Sequence, residues 1–218
     1  GCHARVLGVA LGGTGWGDDG TAWGGEFLAA DLAGYERLAH FATVPLPGGD
    51  RAAEEPWRLA LWVLYRRDGA GFAAPTGWEL LMQATAAGLS APLTSSAGRL
   101  FDAAAALLGV AYRSAYEGQA PIELERLART ARRAGCVLPY TVAEGARLTV
   151  DVLPALYALA DGAEELTAEE RAGRALDFHV TMAAAVAEVL GILSVRTGLR
   201  TVALAGGVFQ NALLLEEL

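Results

Sequence analysis

Several groups of residues in this 218-residue chain are of types that carry chemistry. Near the end, Thr201-Val-Ala-Leu-Ala205 reads as a short strand, followed by Gly206-Gly207 and an apparent helix from Val208 to Leu218. A strand, a glycine pair and a helix start leave unpaired backbone N–H groups and the positive end of the helix dipole beside a gap without side chains. Such a turn can accept a phosphate or a nucleotide edge, although strand–Gly–helix also describes ordinary βα connections. Thr94-Ser95-Ser96 precedes Gly98 and a helix. No nucleophile elbow surrounds these hydroxyls, so they read first as a helix cap and second as a nucleotide contact. Glu117-Gly118-Gln119 enters another helix, where the glutamate is either a first-turn charge or a ligand group.

Other combinations lead away from chemistry. Gly15-Trp-Gly17-Asp-Asp-Gly20 has the spacing of a dinucleotide loop. It is followed by Thr21-Ala-Trp-Gly-Gly25, which reads as strand and turn and not as the helix that a pyrophosphate needs. Asp18 and Asp19 could hold a cation, but paired aspartates in a glycine turn favour turn geometry. His3, His40 and His179 have no metal-ligand spacing, and His179, within Asp177-Phe-His179-Val-Thr181, reads as a packed helical histidine. Cys2 and Cys136 are far apart and read as two reduced thiols.

Composition narrows the classes. All 17 basic residues are arginine, against 25 acidic ones, for a net charge of −8. Without lysine there is no Schiff base, no pyridoxal anchor and no Walker-type phosphate lysine. The arginines form no basic stripe, which argues against a nucleic-acid partner. No signal peptide is expected from Val6 to Leu11, and the apolar stretch Val180 to Val195 falls short of the ~20 residues of a membrane span. A soluble protein acting on small molecules or on another protein is expected. The abrupt beginning in a strand and end in a helix suggest a piece of something longer.

The elements that would position these groups follow from periodicity. Arg5 to Leu11 is β-like, the glycine turn through Gly20 leads to a second run at Thr21 to Ala30, and a third extends from about Glu36 to Val44. Helices are expected at Arg58 to Tyr65, Gly77 to Ala87, Gly98 to Leu108, Ile122 to Ala134, Val150 to Ala160 and about Ala168 to Val195. The expectation is a small β unit over about 1–50, a helical region over about 51–200 and a strand, turn and helix over 201–218.

In order along nearly the whole chain, these segments resemble the C-terminal carbamoyltransferase domain of the HypF-type hydrogenase maturation proteins. The residues that carry the resemblance are Gly13-Thr-Gly-Trp-Gly17, Gly20-Thr-Ala-Trp-Gly-Gly-Glu-Phe27, Pro45-Leu-Pro-Gly-Gly-Asp50, Glu55-Pro-Trp-Arg58, Thr94-Ser-Ser-Ala-Gly-Arg-Leu-Phe-Asp102, Tyr116-Glu-Gly-Gln119, Phe178-His179 and Gly206-Gly-Val-Phe-Gln-Asn211. The resemblance implies an α/β fold: an incomplete actin-like ATPase domain, ribonuclease H-like and helix-rich, with a small N-terminal β unit. It implies ATP as cofactor and transfer of a carbamoyl group from carbamoyl phosphate, through carbamoyl-adenylate, to the C-terminal cysteine of a HypE-type partner. That step would serve cyanide ligand synthesis for [NiFe]-hydrogenase in the cytoplasm, without nucleic acid or membrane.

On the same ground Ser95, Gly98, Asp102, Glu117, Gly206, Gly207 and Asn211 are the expected nucleotide-binding residues, and Asn211, the only asparagine, could donate to and accept from a base. The resemblance assigns no catalytic residue. Complete relatives hold a divalent metal through a histidine pair and two aspartates. Here Gly12 stands at the first aspartate position, His3 is not part of a pair, and Leu218 precedes the second, so no metal ligands are expected. Two alternatives share the fold: a non-catalytic remnant or partner-docking module with weak nucleotide binding, and a small-molecule O-carbamoyltransferase.

Overall fold

The computed structural model describes residues 4–69, 72 and 76–218. His3 and Cys2 lie outside the described residues. Strands β1 (Val6–Trp16), β2 (Ala22–Ala30) and β3 (Tyr35–Phe41) form an antiparallel meander. Alternation explains its buried face: Leu7, Val9 and Leu11 of β1, Phe27 and Ala29 of β2, and Ala39 and Phe41 of β3 point into the core. The glycine-rich segment expected to be a turn from Gly12 is largely strand, because β1 continues to Trp16 past an irregularity between Leu11 and Gly15. The tight turn is confined to Gly17–Gly20, closed by Gly20 N–H donating to Gly17 O at 3.2 Å.

Two short strands, β4 (Val44–Pro45) and β5 (Leu93–Thr94), add to the start of β2, where Thr94 pairs with Ala22. Between them lie α1 (Arg51–Glu54), α2 (Trp57–Asp68) and α3 (Trp78–Ala86). Helix α4 (Ala97–Leu107) follows β5 directly and is buried at every residue, flanked by α2, α5, α6, α7 and β1. Its alanine run, Ala103 to Ala106, is what lets so many elements approach one helix. Helix α5 spans Gln119–Ala128, and α6 spans Leu153–Ala160. The 30-residue α7 (Ala168–Thr197) opens on a capping box between Thr167 and Glu170 and stops at Gly198, whose φ of 73° is the left-handed end that glycine favours.

The region expected to be helical from 51 to 200 also contains a hairpin, β6 (Thr141–Ala143) and β7 (Leu148–Asp151), with β7 parallel to β3. Val150 therefore belongs to a strand and not to the following helix, which starts at Leu153 with Pro154 in its first turn. Helix α5 likewise ends six residues before the expected Ala134, since Arg133 turns away to bind Asp177 on α7. Helix α7 is longer than its most apolar stretch indicated and would reach across a bilayer by length and composition alone. Half of its apolar window is nevertheless inside the fold, where Phe178 meets Phe101 of α4 edge-on at 5.1 Å, a contact worth about 0.5–1.5 kcal/mol.

The chain then returns as β8 (Val202–Ala205), parallel to β1, with Leu7 opposite Val202 and Ala10 opposite Ala205. A 3₁₀ turn (Gly207–Gln210) and α8 (Ala212–Glu217) complete the terminal unit. The eight strands belong to one mixed sheet, in which β1 and β2 carry the antiparallel hairpin and β8 the parallel return. Helix α4 and the terminal turn both come to rest at the glycine-rich half of β1.

Candidate functional site

A cavity of about 430 Å³ opens where those three segments meet, lined from β1 by Gly13, from α4 by Gly98, Arg99 and Phe101, from the entrance to α5 by Glu117 and Gly118, and from the terminal turn by Gly207, Gln210 and Asn211. Four expected residues therefore gather on one cavity: Gly98, Glu117, Gly207 and Asn211. The backbone permits this because two glycines let segments touch. A Cβ on Gly98 would stand 3.0 Å from Gly12 O. At Gly206, with φ of 99°, a Cβ would stand 2.1 Å from Leu11 O, so no other residue fits this turn against β1.

The other three expected residues stand behind the cavity and not on its lining. Gly206 supplies the close approach just described. Ser95 is buried: its N–H donates to Ala22 O at 3.0 Å and its hydroxyl donates to Glu26 Oε1. Glu26 in turn pairs with Arg37 at 2.5 Å, and Arg37 reaches Asp19 at 2.6 Å. Partial burial acts to raise the Asp19 carboxyl, but hydrogen bonds from Thr21 and Trp23, with Arg37 beside them, hold it well below the ordinary range. Asp19 thus serves turn geometry. Ser96 is the α4 cap, its Oγ accepting from Arg99 N–H at 3.2 Å while its hydroxyl donates to Gly12 O at 2.7 Å.

Asp102 is buried under the cavity. Arg99 Nη2 lies 2.9 Å from its Oδ2, yet burial dominates and pushes the carboxyl up to about 7 against the pull of Arg99. Arg99 itself was not among the expected site residues, although it lies inside the Thr94–Asp102 segment. Its signal was a cation one turn before an aspartate in an otherwise apolar helix, which only burial turns into a site feature.

Asn211 has both ends of its amide engaged. Its Oδ1 accepts from Leu214 N–H at 2.9 Å, capping α8, and its Nδ2 lies 2.9 Å from Nε2 of His179. His179 Nδ1 lies 2.7 Å from Ala175 O, which makes Nδ1 the protonated nitrogen and Nε2 the acceptor. Burial holds this imidazole below its ordinary pKa and keeps it neutral. Contact between Asn211 and a base would compete with these two bonds.

The described residues do not fit the divalent metal that the resemblance implies for complete relatives. A Cβ at Gly12 would face open space with nothing within 4 Å, and no group of three or more His, Cys, Asp or Glu stands together among the described residues. A second, larger cleft, about 880 Å³, runs beside α2 and α6 past Trp57, Leu61, Trp78 and Tyr112, away from these groups.

Residues 8–218 match the family described as carbamoyltransferase, Kae1-like domain, second subdomain. Carbamoyltransferase HypF2 of Cupriavidus necator is 40% identical over 251 residues, covering 100% of this chain and 30% of that protein. A carbamoyltransferase HypF homolog of the same organism is 42% identical, covering 96% of this chain and 56% of that protein. Among solved structures, full-length HypF in the phosphate- and nucleotide-bound form superposes with a TM-score of 0.87 at 30% identity, covering 99% of this chain and 29% of that one. T. kodakarensis HypF gives 0.80, also at 30% identity, over 98% of this chain and 29% of that one. The chain spans about a third of most of these relatives, and the actin-like α/β fold is theirs. It belongs to the HypF carbamoyltransferase family, as a part of the Kae1-like domain.

Proposed function

We propose that this chain forms the nucleotide pocket of an ATP-dependent carbamoyltransferase of hydrogenase maturation, working in the cytoplasm on a HypE-type partner. The observation that carries the reading is the cavity that brings Gly98, Glu117, Gly207 and Asn211 together, in a chain similar to a HypF solved with phosphate and nucleotide bound. In this reading carbamoyl phosphate, ATP and water give carbamoyl-adenylate, with phosphate leaving the carbamoyl group and pyrophosphate leaving ATP. The partner's terminal cysteine sulfur then attacks the carbamoyl carbon, the bond from that carbon to the phosphate oxygen breaks, and AMP leaves.

This chain's residues would supply binding and orientation. Gly98 and Gly207 let sugar or phosphate approach the backbone, the Glu117 carboxylate accepts from hydroxyls, and Asp102 stands beneath them. Gly206 and Asn211 hold the terminal turn in place. Ser95 fastens the start of α4 to the sheet, so that its part is indirect.

The test is to incubate the chain with carbamoyl phosphate, ATP and a HypE-type protein and to weigh the partner by mass spectrometry. A gain of one carbamoyl group on the terminal cysteine is expected, and no gain under conditions where a complete enzyme works would sink the catalytic reading. A second reading, a non-catalytic partner-docking module with weak nucleotide binding, is favoured by the open space at Gly12, where a carboxylate would otherwise stand. It predicts nucleotide binding without mass gain.

A further inference from the structure

Among the described residues Arg99 is the one basic side chain on the lining of this cavity, and its hydrogen bonding is unfinished. The residue is only 6% exposed. Its Nη2 sits 2.9 Å from Asp102 Oδ2, but the angles make no hydrogen bond: Nε, Nη1 and the Asp102 oxygen are all buried without a partner. A guanidinium offers five donors in a rigid fork, and buried donors left unmade are unfavourable. The rest of α4 beyond Asp102 is alanine and leucine, which offers no acceptor side chain.

The space in front of this group is kept open by a glycine. The point where a Cβ of Gly13 would stand is 3.7 Å from Arg99 Nη2 and 3.8 Å from Glu117 Oε1, so a gap separates one cation from one carboxylate. The other carboxylate on the lining, Glu125, is already held by Arg129 at 3.0 Å and by Leu213 N–H at 3.2 Å. A ligand with an anion at one end and hydroxyls at the other satisfies both sides of the gap. An anion alone would meet the glutamate.

We propose that Arg99 is the residue that recognises phosphate in this cavity: when a nucleotide enters, the guanidinium turns from Asp102 to a non-bridging phosphate oxygen, while the hydroxyl end faces Glu117. The assignment rests on the nucleotide reading above and adds to it the group that discriminates a nucleotide from a nucleoside. It also accounts for the poor geometry of the Arg99–Asp102 ion pair, since Asp102 is only a holding partner.

Calorimetry with adenosine and AMP tests it. AMP should bind about tenfold or more tighter than adenosine, as expected of a charge-assisted contact. Arg99→Gln should bring the two within about twofold while adenosine affinity is retained, and Arg99→Lys, with the charge but not the fork, should fall between. Gly13→Ala gives a second probe, because its methyl meets only ordinary contacts and the fold should persist. It should narrow the gap and lower the same ratio, and it decides the matter if circular dichroism finds Arg99→Gln unfolded. Equal binding of both ligands by the unaltered chain, or a full ratio in Arg99→Gln or in Gly13→Ala, overturns the assignment and leaves the nucleotide reading standing. No heat with either ligand overturns both.

Discussion

The most consequential single group is Asp102, because its acidity is set by the fold. An aspartate with an ordinary value of 3.8 is pushed by burial to about 7. Between those two values the folded chain holds a proton that the unfolded chain has released, so the stabilisation is full below about 4 and is lost as pH rises through 7. Urea midpoints measured from pH 5 to pH 8 should therefore fall with rising pH, and Asp102→Asn should flatten that slope. An unchanged slope in the variant would assign the effect elsewhere. Gly98 and Glu117, expected from segment order, do come together on one cavity, while Asp102, expected on the same ground, stands off its lining. Arg99 was not legible, since an arginine looks alike in sequence whether it is solvated or sealed under a cavity. Asn211 was legible as a singular residue, but its engagement with His179 depends on α7 passing 32 residues earlier in the chain, a contact no local pattern reports.

Among the elements, the terminal turn and α8 depend on one side chain. Asn211 caps α8 and ties it to α7, so Asn211→Ala should lose about 1–3 kcal/mol, a cap plus a buried hydrogen bond. Asn211→Asp should recover the cap portion. Chemical denaturation reads the difference, and it must be in hand before any fall in nucleotide affinity in the alanine variant is assigned to direct contact. The strongly periodic elements, the first half of β1 with β2, α4 and α7, were readable from apolar spacing and caps, whereas the glycine-rich half of β1 read as a turn. The β6–β7 hairpin was missed because Thr141 and Ala143 face solvent and Val150 sits next to a helix-like run, so that pairing with β3 decides its state. The arginine-rich stretch after Ala128 has helical composition, yet the ion pair of Arg133 with Asp177 draws it out of the helix. Tertiary capture overrides propensity there.

Taken as a whole, the chain places its sheet, its buried helix and its terminal turn around one cavity, so occupancy of that cavity should stabilise all of them together. At a hundredfold excess over Kd, a nucleotide bound only by the folded chain adds about 2.7 kcal/mol. For a chain of this size that corresponds to a rise in Tm of roughly 5–10 °C. Thermal unfolding with AMP or ATP measures it, and an unmoved Tm at saturating nucleotide would place the cavity outside nucleotide chemistry. The same molecule also contains its own gauge. His179 is a neutral ring whose two nitrogens are held by different partners, one within α7 and one in the terminal turn. In ¹⁵N-enriched protein its ring resonances thus distinguish a docked turn from a released one, and the native sequence needs no added reporter group to show it.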